Sequence, residues 1–292
     1  ASFLTVFMMR NISIPEFKGF REAMLALAVP VDFSEYNSID LCGTGGDGKD
    51  TFNISTLTSF VVAGAGIPVT KHGNYGVSSI CGSSNVLEQL GVRFTSDEQV
   101  LKQQLETAGI CFLHAPLFHP AMKAVAPIRK ELGVKTFFNL LGPLTNPVQP
   151  KNQMVGVFNL EVARMYQYFL QEAGSNYAII HALDGFDEIS LTDKHKEITS
   201  NGEAIKGAKD FGFQKVNYKD LAGGNSVNEA AQIFLNVLEG KGTESQEKVV
   251  LANASTAIKL VTKKEPDECM NLAVDSLLSG KAEKALEFLI RN

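Results

Sequence analysis

Residues 40–56 read Asp-Leu-Cys-Gly-Thr-Gly-Gly-Asp-Gly-Lys-Asp-Thr-Phe-Asn-Ile-Ser-Thr, and this stretch decides how the rest of the chain is read. A short strand-like run, Ile39 to Cys42, leads into four glycines, Gly43, Gly45, Gly46 and Gly48. Asn53, Ser55 and Thr56 then open an apolar stretch that closes at Gly64 and Gly66. Strand, glycine loop and helix N-terminus in that order build an anion cradle. Glycine lets the backbone approach a phosphate, and the free N–H groups at the helix start point at it. The segment therefore predicts a phosphorylated small molecule as ligand.

Two familiar phosphate motifs fail here. Gly43, Gly45 and Gly48 satisfy G-x-G-x-x-G, but a dinucleotide site needs an acidic residue about twenty positions on. No Asp or Glu lies between Asp50 and Glu88. Gly43 to Lys49 fits G-x-x-x-x-G-K, yet Asp50 follows where a P-loop needs Ser or Thr for magnesium.

Around the loop the chain alternates. Strands are expected at 39–42, 67–71, 110–114, 153–158, 177–182 and 188–191, and helices at 54–65, 78–90, 97–108, 120–132 and 160–173. That alternation predicts an α/β fold with a mostly parallel central sheet. The first thirty residues read as helical, with Phe3, Leu4, Phe7 and Met8 at helical spacing and a capping box at Ser13-Ile-Pro-Glu16. Residues 120–147 are helical, apolar and without a strand of their own, so they are expected to return to the N-terminal helices. The expected division is a small, discontinuous helical domain (1–36 and 120–147) beside a larger α/β domain (37–119 and 148–292). Residues 201–245, richer in Gly, Asn, Lys and Glu, read as an irregular strand-bearing insertion.

At 292 residues, 45% of them hydrophobic, the chain can bury a substantial core. A net charge of −5 argues against a nucleic-acid binder, although a local cradle can still be positive. Cys42, Cys81, Cys111 and Cys269 form no C-x-x-C pair and read as free thiols in a reducing, cytoplasmic setting. No signal peptide or membrane-spanning stretch is visible; Phe60 to Val69, the longest apolar run, is too short. The chain opens at Ala1 in mid-amphipathic pattern, and the first helical segment is expected to be incomplete.

Several residue groups carry chemistry, each with a plainer alternative. Lys71-His72-Gly73-Asn74 follows an apolar strand, where an open α/β sheet binds its ligand, but it also fits an ordinary polar loop. Ser78 and Ser79 suit either a phosphate or an ordinary helix cap. His119 and Arg129 flank a helix across nearly three turns, with Pro127 expected to kink it. Arg129 is either a surface ion-pair partner or a bidentate clamp for an aromatic carboxylate. Asp187 and Glu188 form a solvated turn or supply hard oxygens for magnesium carrying a diphosphate. His114 and His181 read as core or strand-end residues, and no Ser-His-Asp or Cys-His arrangement is evident.

Taken together, G-T-G-G-D-G with T-F-N-I-S-T, Lys71-His-Gly-Asn74, Leu141-Gly-Pro-Leu-Thr-Asn-Pro147 and Asp184-Gly-Phe-Asp-Glu-Ile189 resemble the anthranilate phosphoribosyltransferase family in order and spacing. The resemblance runs from about Phe3 to the C-terminus. It implies a small α-domain beside a larger α/β domain, a homodimer through the helical part, and transfer of the phosphoribosyl group from phosphoribosyl diphosphate to anthranilate. As donor-binding residues it implies Gly43, Thr44, Gly45, Gly46, Asp47, Thr51, Asn53, Ser55, Thr56, Lys71, Asn74, Ser78, Ser79 and Ser83. For anthranilate it implies Gly43, His72, Gly73, Asn74, His119 and Arg129, and for the cofactor Mg2+ it implies Ser55, Asp187 and Glu188. No residue is implied as a catalytic acid or base. Tyr75, Ser84-Asn85 and Lys135 differ from residues the family often carries there. A nucleoside phosphorylase of similar fold and a non-catalytic sensor of phosphorylated ligands remain the alternatives.

Overall fold

The computed structural model describes residues 2–76, 79–132 and 136–292, and of Met8, Ala124, Ala126, Arg129 and Lys130 the backbone alone. It opens with α1 (Ser2–Met9) and α2 (Ile14–Ala26). Ser13 starts α2 as its sequence predicts, its N–H and hydroxyl both donating to the Glu16 carboxylate at 3.0 and 2.7 Å. There follow β1 (Ile39–Gly43), α3 (Ile54–Gly64), β2 (Val69–Gly73), α4 (Ser83–Gln89), α5 (Glu98–Ala108), β3 (Ile110–His114) and α6 (Ala115–Phe118). The chain continues through α7 (Ala126–Leu132), α8 (Phe138–Leu141), β4 (Asn152–Gly156), α9 (Leu160–Glu172) and β5 (Asn176–Ala182). The antiparallel hairpin β6 (His195–Thr199) and β7 (Gly202–Lys206) leads to four helices, α10 (Val227–Leu238), α11 (Glu244–Thr262), α12 (Pro266–Leu278) and α13 (Lys281–Arg291).

The seven strands form one sheet in the order β3-β2-β1-β4-β5-β6-β7, with β1 to β5 parallel and the hairpin added antiparallel at one edge. Alternate side chains enter opposite cores, as parallel strands covered on both faces require. Ile39, Leu41, Met154, Ala178 and Ile180 face α3 and the C-terminal helices. Val155, Tyr177 and Ile179 face a second core that holds Leu4, Phe17, Phe137, Leu141 and Tyr166. Here the segment from 120 to 147 meets the N-terminal helices through rings: Phe7 and Phe20 lie 4.9 and 4.5 Å from Phe137. No helix among the described residues is long and apolar enough to cross a membrane.

Four expectations need correction. Residues 188–191 are not a strand: the side chain of Asn253, in α11, accepts from the Ile189 N–H and donates to the Ile189 carbonyl. The partner of β5 is instead β6, four residues further on. The helix expected over 78–90 begins at Ser83, behind Gly82. The helix expected over 120–132 is two pieces, a 3₁₀ turn Pro120–Ala124 and then α7, with Pro127 in the first turn of α7, where its missing N–H costs nothing. Residues 201–245 contain β7, but also the amphipathic helix α10, capped by Ser226. The four cysteines are free, Cys111 and Cys269 buried and the other two half-buried.

His195, at the start of β6, is buried with its ring against Phe211, and neither ring nitrogen finds a partner among the described residues. Burial pushes it down to about 4. Between its unfolded value of 6.5 and about 4, the unfolded chain binds a proton that the native chain refuses. Stability from this group is therefore present above pH 6.5 and falls by up to about 1.4 kcal/mol per pH unit on acidification. His195→Phe should melt with a smaller drop between pH 7 and pH 5 than the wild type; an identical drop in calorimetry would assign the acid sensitivity to other groups.

Candidate active site

Strand order reverses at β1, which pairs with β2 on one side and β4 on the other, and ligands of open α/β sheets bind in the crevice beyond such a point. All three strands end in glycine: Gly43, Gly73 and Gly156. Beyond them lies a cleft of about 300 Å³. Gly43, Thr44, Gly45, Gly46, Asp47, Thr51, Asn53, Ser55, Thr56, Lys71, His72, Gly73, Asn74, Ser79, Ser83, Asp187 and Glu188 all line it.

The glycine loop is shaped by its backbone. Gly45, Gly46 and Gly48 have φ of +64°, +78° and +72°, and a Cβ on Gly45 would project into open space. The exit of the loop is tied to residues 218–223. The Phe52 N–H donates to the Leu221 carbonyl and Tyr218 to the Lys49 carbonyl, and the Lys49 ammonium lies 4.8 Å from the Phe186 ring. The segment read as an irregular insertion thus buttresses the cradle. Asn53 does not cap α3 with its side chain, which donates instead to the Cys81 carbonyl at 3.0 Å; in the first turn the Ile54 N–H donates to the Phe52 carbonyl and the Ser55 N–H points at Glu188.

Gly45→Val should therefore weaken donor binding by about a hundredfold or more while the protein stays folded. The left-handed backbone costs a side-chain-bearing residue about 1–2 kcal/mol, and the branched side chain enters the cleft. Unchanged calorimetric affinity for phosphoribosyl diphosphate in a folded variant would remove the loop from the binding site.

Lys71 is buried, and its Nζ donates to the Leu41 carbonyl at 2.5 Å. Close behind it sits Asp40, a fully buried carboxyl raised to about 6 by desolvation, against which the Lys71 charge, Asn146 and the His72 N–H act. Asn146 donates to Asp40 and to the Thr70 carbonyl, and so ties the Leu141–Pro147 segment to β1 and β2. The His72 Nδ1 lies 3.1 Å from the Gly142 carbonyl, and burial, with His119 beside it, pushes His72 down to about 3. His72 is thus neutral at physiological pH.

Asp187 and Glu188 meet the loop from the opposite side. The Gly45 N–H donates to Asp187 Oδ2 at 2.7 Å, and the Ser55 N–H points at the Glu188 carboxylate. Burial and the neighbouring Asp47 carboxylate raise Asp187 to about 7, and burial and Asp187 raise Glu188 well above its usual range. Among the described residues neither makes an ion pair with a cationic side chain. No three His, Cys, Asp or Glu side chains among them converge on one ready-made metal position. Magnesium carrying a diphosphate takes only one or two carboxylates and keeps its waters, so this crowded, hard-oxygen pair fits it.

The remaining expected residues are placed differently. Ser78 lies outside the described residues, as does Lys135, and so does the side chain of Arg129, whose backbone belongs to α7. His119 is buried behind the cleft, its ring 5.2 Å from that of His72. Ser79 is exposed on a bend rather than opening a helix. Asn85 accepts from both the Gly76 and Gly82 N–H groups and so shapes the turn before α4. Tyr75 rests against the His114 ring at 5.0 Å. Sequence reasoning missed Asp40, Gly142, Pro143 and Gly156. Asp40 stands inside the strand-like run Ile39–Cys42, Gly142 and Pro143 lie in a motif already singled out, and Gly156 closes a strand as Gly43 does.

Residues 35–283 match the model of the glycosyl transferase family, a/b domain. An anthranilate phosphoribosyltransferase of Flavobacterium psychrophilum is 62% identical over 289 residues, 99% of this chain and 88% of that protein. The chain belongs to the anthranilate phosphoribosyltransferase family. The crystal structure of the Thermus thermophilus member superposes with a TM-score of 0.90 at 33% identity, over 99% of this chain and 87% of that one. The Saccharomyces cerevisiae member in complex with phosphoribosyl diphosphate and magnesium does so with 0.91 at 29% identity, over 99% and 83%. The glycine loop, Lys71-His-Gly-Asn74 and the acidic pair come from three distant parts of the chain and line one crevice.

Proposed function

We propose that this chain is a magnesium-dependent anthranilate phosphoribosyltransferase, which transfers the 5-phosphoribosyl group of phosphoribosyl diphosphate to the amine of anthranilate and releases diphosphate. The observation that carries the reading is the convergence of the open glycine loop, the buried Lys71 and the Asp187–Glu188 pair at the end of β1. The loop N–H groups, the first turn of α3 and Lys71 hold the phosphates of the donor. Asn53, Asn74, Thr51 and Ser83 orient its sugar, and Ser55, Asp187 and Glu188 hold magnesium. When bound, the metal supplies Lewis-acid neutralisation of the charge growing on the leaving diphosphate.

His72, Gly73, Asn74 and Gly43 form the acceptor side of the cleft, with His119 supporting His72 and Arg129 reaching the carboxylate of anthranilate. The amine of anthranilate is uncharged at neutral pH, so attack needs no prior proton removal, in keeping with a neutral, buried His72. Catalysis comes from alignment of the two substrates and from charges fixed in place before the reaction. The helical lobe, 1–36 with 120–147, closes one side of the cleft and forms the homodimer, in a cytoplasmic enzyme of tryptophan biosynthesis.

The test is the loss of anthranilate fluorescence on mixing with phosphoribosyl diphosphate and magnesium. Turnover of a nucleoside with free phosphate, and none of anthranilate, would transfer the assignment to a nucleoside phosphorylase.

A further inference from the structure

The protein's own atoms exclude a side chain at all three strand-end glycines, and at two of them the excluding residue is the same. Gly43 and Gly156 face each other as register partners on β1 and β4, and neither has a positive φ, so alanine would suit their backbone angles. What forbids alanine is Asp187. A Cβ on Gly156 would sit on the Asp187 carbonyl oxygen, closer than any real carbon–oxygen contact, and a Cβ on Gly43 would lie 3.0 Å from the Asp187 Cγ and closer still to its Oδ2. The two strand ends form a notch without side chains, and the backbone of Asp187 lies in it. The Gly156 carbonyl also accepts from the Thr44 N–H at 2.9 Å, so the notch is continuous with the start of the glycine loop.

We propose that Gly156 is a positioning residue for the acidic pair: it seats the Asp187 main chain against β4 so that the carboxylates of Asp187 and Glu188 stand at the mouth of the glycine loop. This rests on the reading of that pair as the magnesium site and deepens it. In the structure the Asp187 carboxylate accepts from the Gly45 N–H, a group that belongs to the phosphate cradle. A carboxylate that serves both the loop and a metal has to turn about its own side-chain bonds. It reaches the same metal position each time only if its main chain is fixed, and the contact at Gly156 is with main chain.

The experiment measures binding of Mn2+, standing in for Mg2+, by the further loss of its free electron paramagnetic resonance signal when protein is added to Mn2+ and phosphoribosyl diphosphate, against the same mixture without protein. Gly156→Ala should weaken Mn2+ binding about tenfold or more, the usual consequence of disturbing what orients a metal ligand. Anthranilate affinity, read from its own fluorescence, should change less than twofold. A merely structural glycine predicts a lower melting temperature and proportionate loss of both ligands. If Gly156→Ala does not fold, Gly43→Ala crowds the same residue at its carboxylate and should weaken Mn2+ binding likewise, with Mn2+ as its only readout because Gly43 also lines the acceptor side of the cleft. Wild-type Mn2+ binding in whichever variant folds overturns the proposal while leaving the function standing. Absence of donor-dependent Mn2+ binding in the wild type overturns the function and this inference with it.

Discussion

Asp187→Asn combined with Glu188→Gln should leave a folded protein with anthranilate binding near normal and a transfer rate lowered on the order of a hundredfold to a thousandfold at any magnesium concentration. The substitutions keep size and most hydrogen bonding and remove two negative charges. Burial raises both groups, with Asp47 repelling Asp187 and Asp187 repelling Glu188, so the native chain holds these charges at a cost that the amides do not incur. The ligand-free double variant should therefore melt higher than the wild type at pH 8, a gain in stability accompanying a loss of function. A solvated acidic turn predicts the opposite on both counts: normal rates and no change in melting. A magnesium titration of the rate beside a calorimetric melt separates the two, and wild-type rates would remove the metal assignment.

How much of this site the sequence makes legible depends on the range of the interactions that form it. The loop from Gly43 to Gly48 is legible because its geometry is local: each positive φ belongs to one residue, and glycine is the residue that adopts it freely. The adjacent carboxylates are legible as a pair for the same reason, and β1 and α3 fall where strand and helix patterns put them. Asp40 is not legible, because nothing in its neighbours says that a carboxyl on a buried strand will meet Lys71 from the next one. Gly156 is equally silent, since the residue that forbids its side chain lies in a different segment. The segment 188–191 misleads through Ile189 and Leu191, which alternate like a strand although a side chain from α11 takes the backbone groups of Ile189. Ser79 misleads because it has the composition of a cap, whereas the turn before α4 is held by Asn85. The start of α10 was readable, since Ser226 precedes Glu229 by the spacing of a capping box, but the polar composition around it obscured the signal.

Lys71→Met should weaken phosphoribosyl diphosphate binding by about a hundredfold and leave anthranilate affinity within a few-fold. The side chain is buried, its charge acts on both Asp40 and Glu188, and from the middle of β2 it reaches the Leu41 carbonyl and lines the wall of the cleft. Two roles compete for it. As a structural counterion it offsets the buried Asp40, and removing one partner of such a pair typically costs about 3–5 kcal/mol when the other stays charged. Asp40 is already raised to about 6, so in the variant it takes up a proton, and the stability loss should fall below that range. As a donor ligand, Lys71 places a positive charge where the phosphates sit, and no protonation of Asp40 can replace that. Adding Asp40→Asn to Lys71→Met distinguishes the roles. A pure counterion predicts that the neutral pair recovers both stability and donor affinity. A donor ligand predicts recovered melting temperature with donor binding still lost, because the cradle then has its loop amides but no buried cation. Lys71→Arg should not rescue binding either, since the longer, planar fork cannot make the single bond to the Leu41 carbonyl from the same buried position. Full donor affinity in the double variant would reduce Lys71 to a structural counterion.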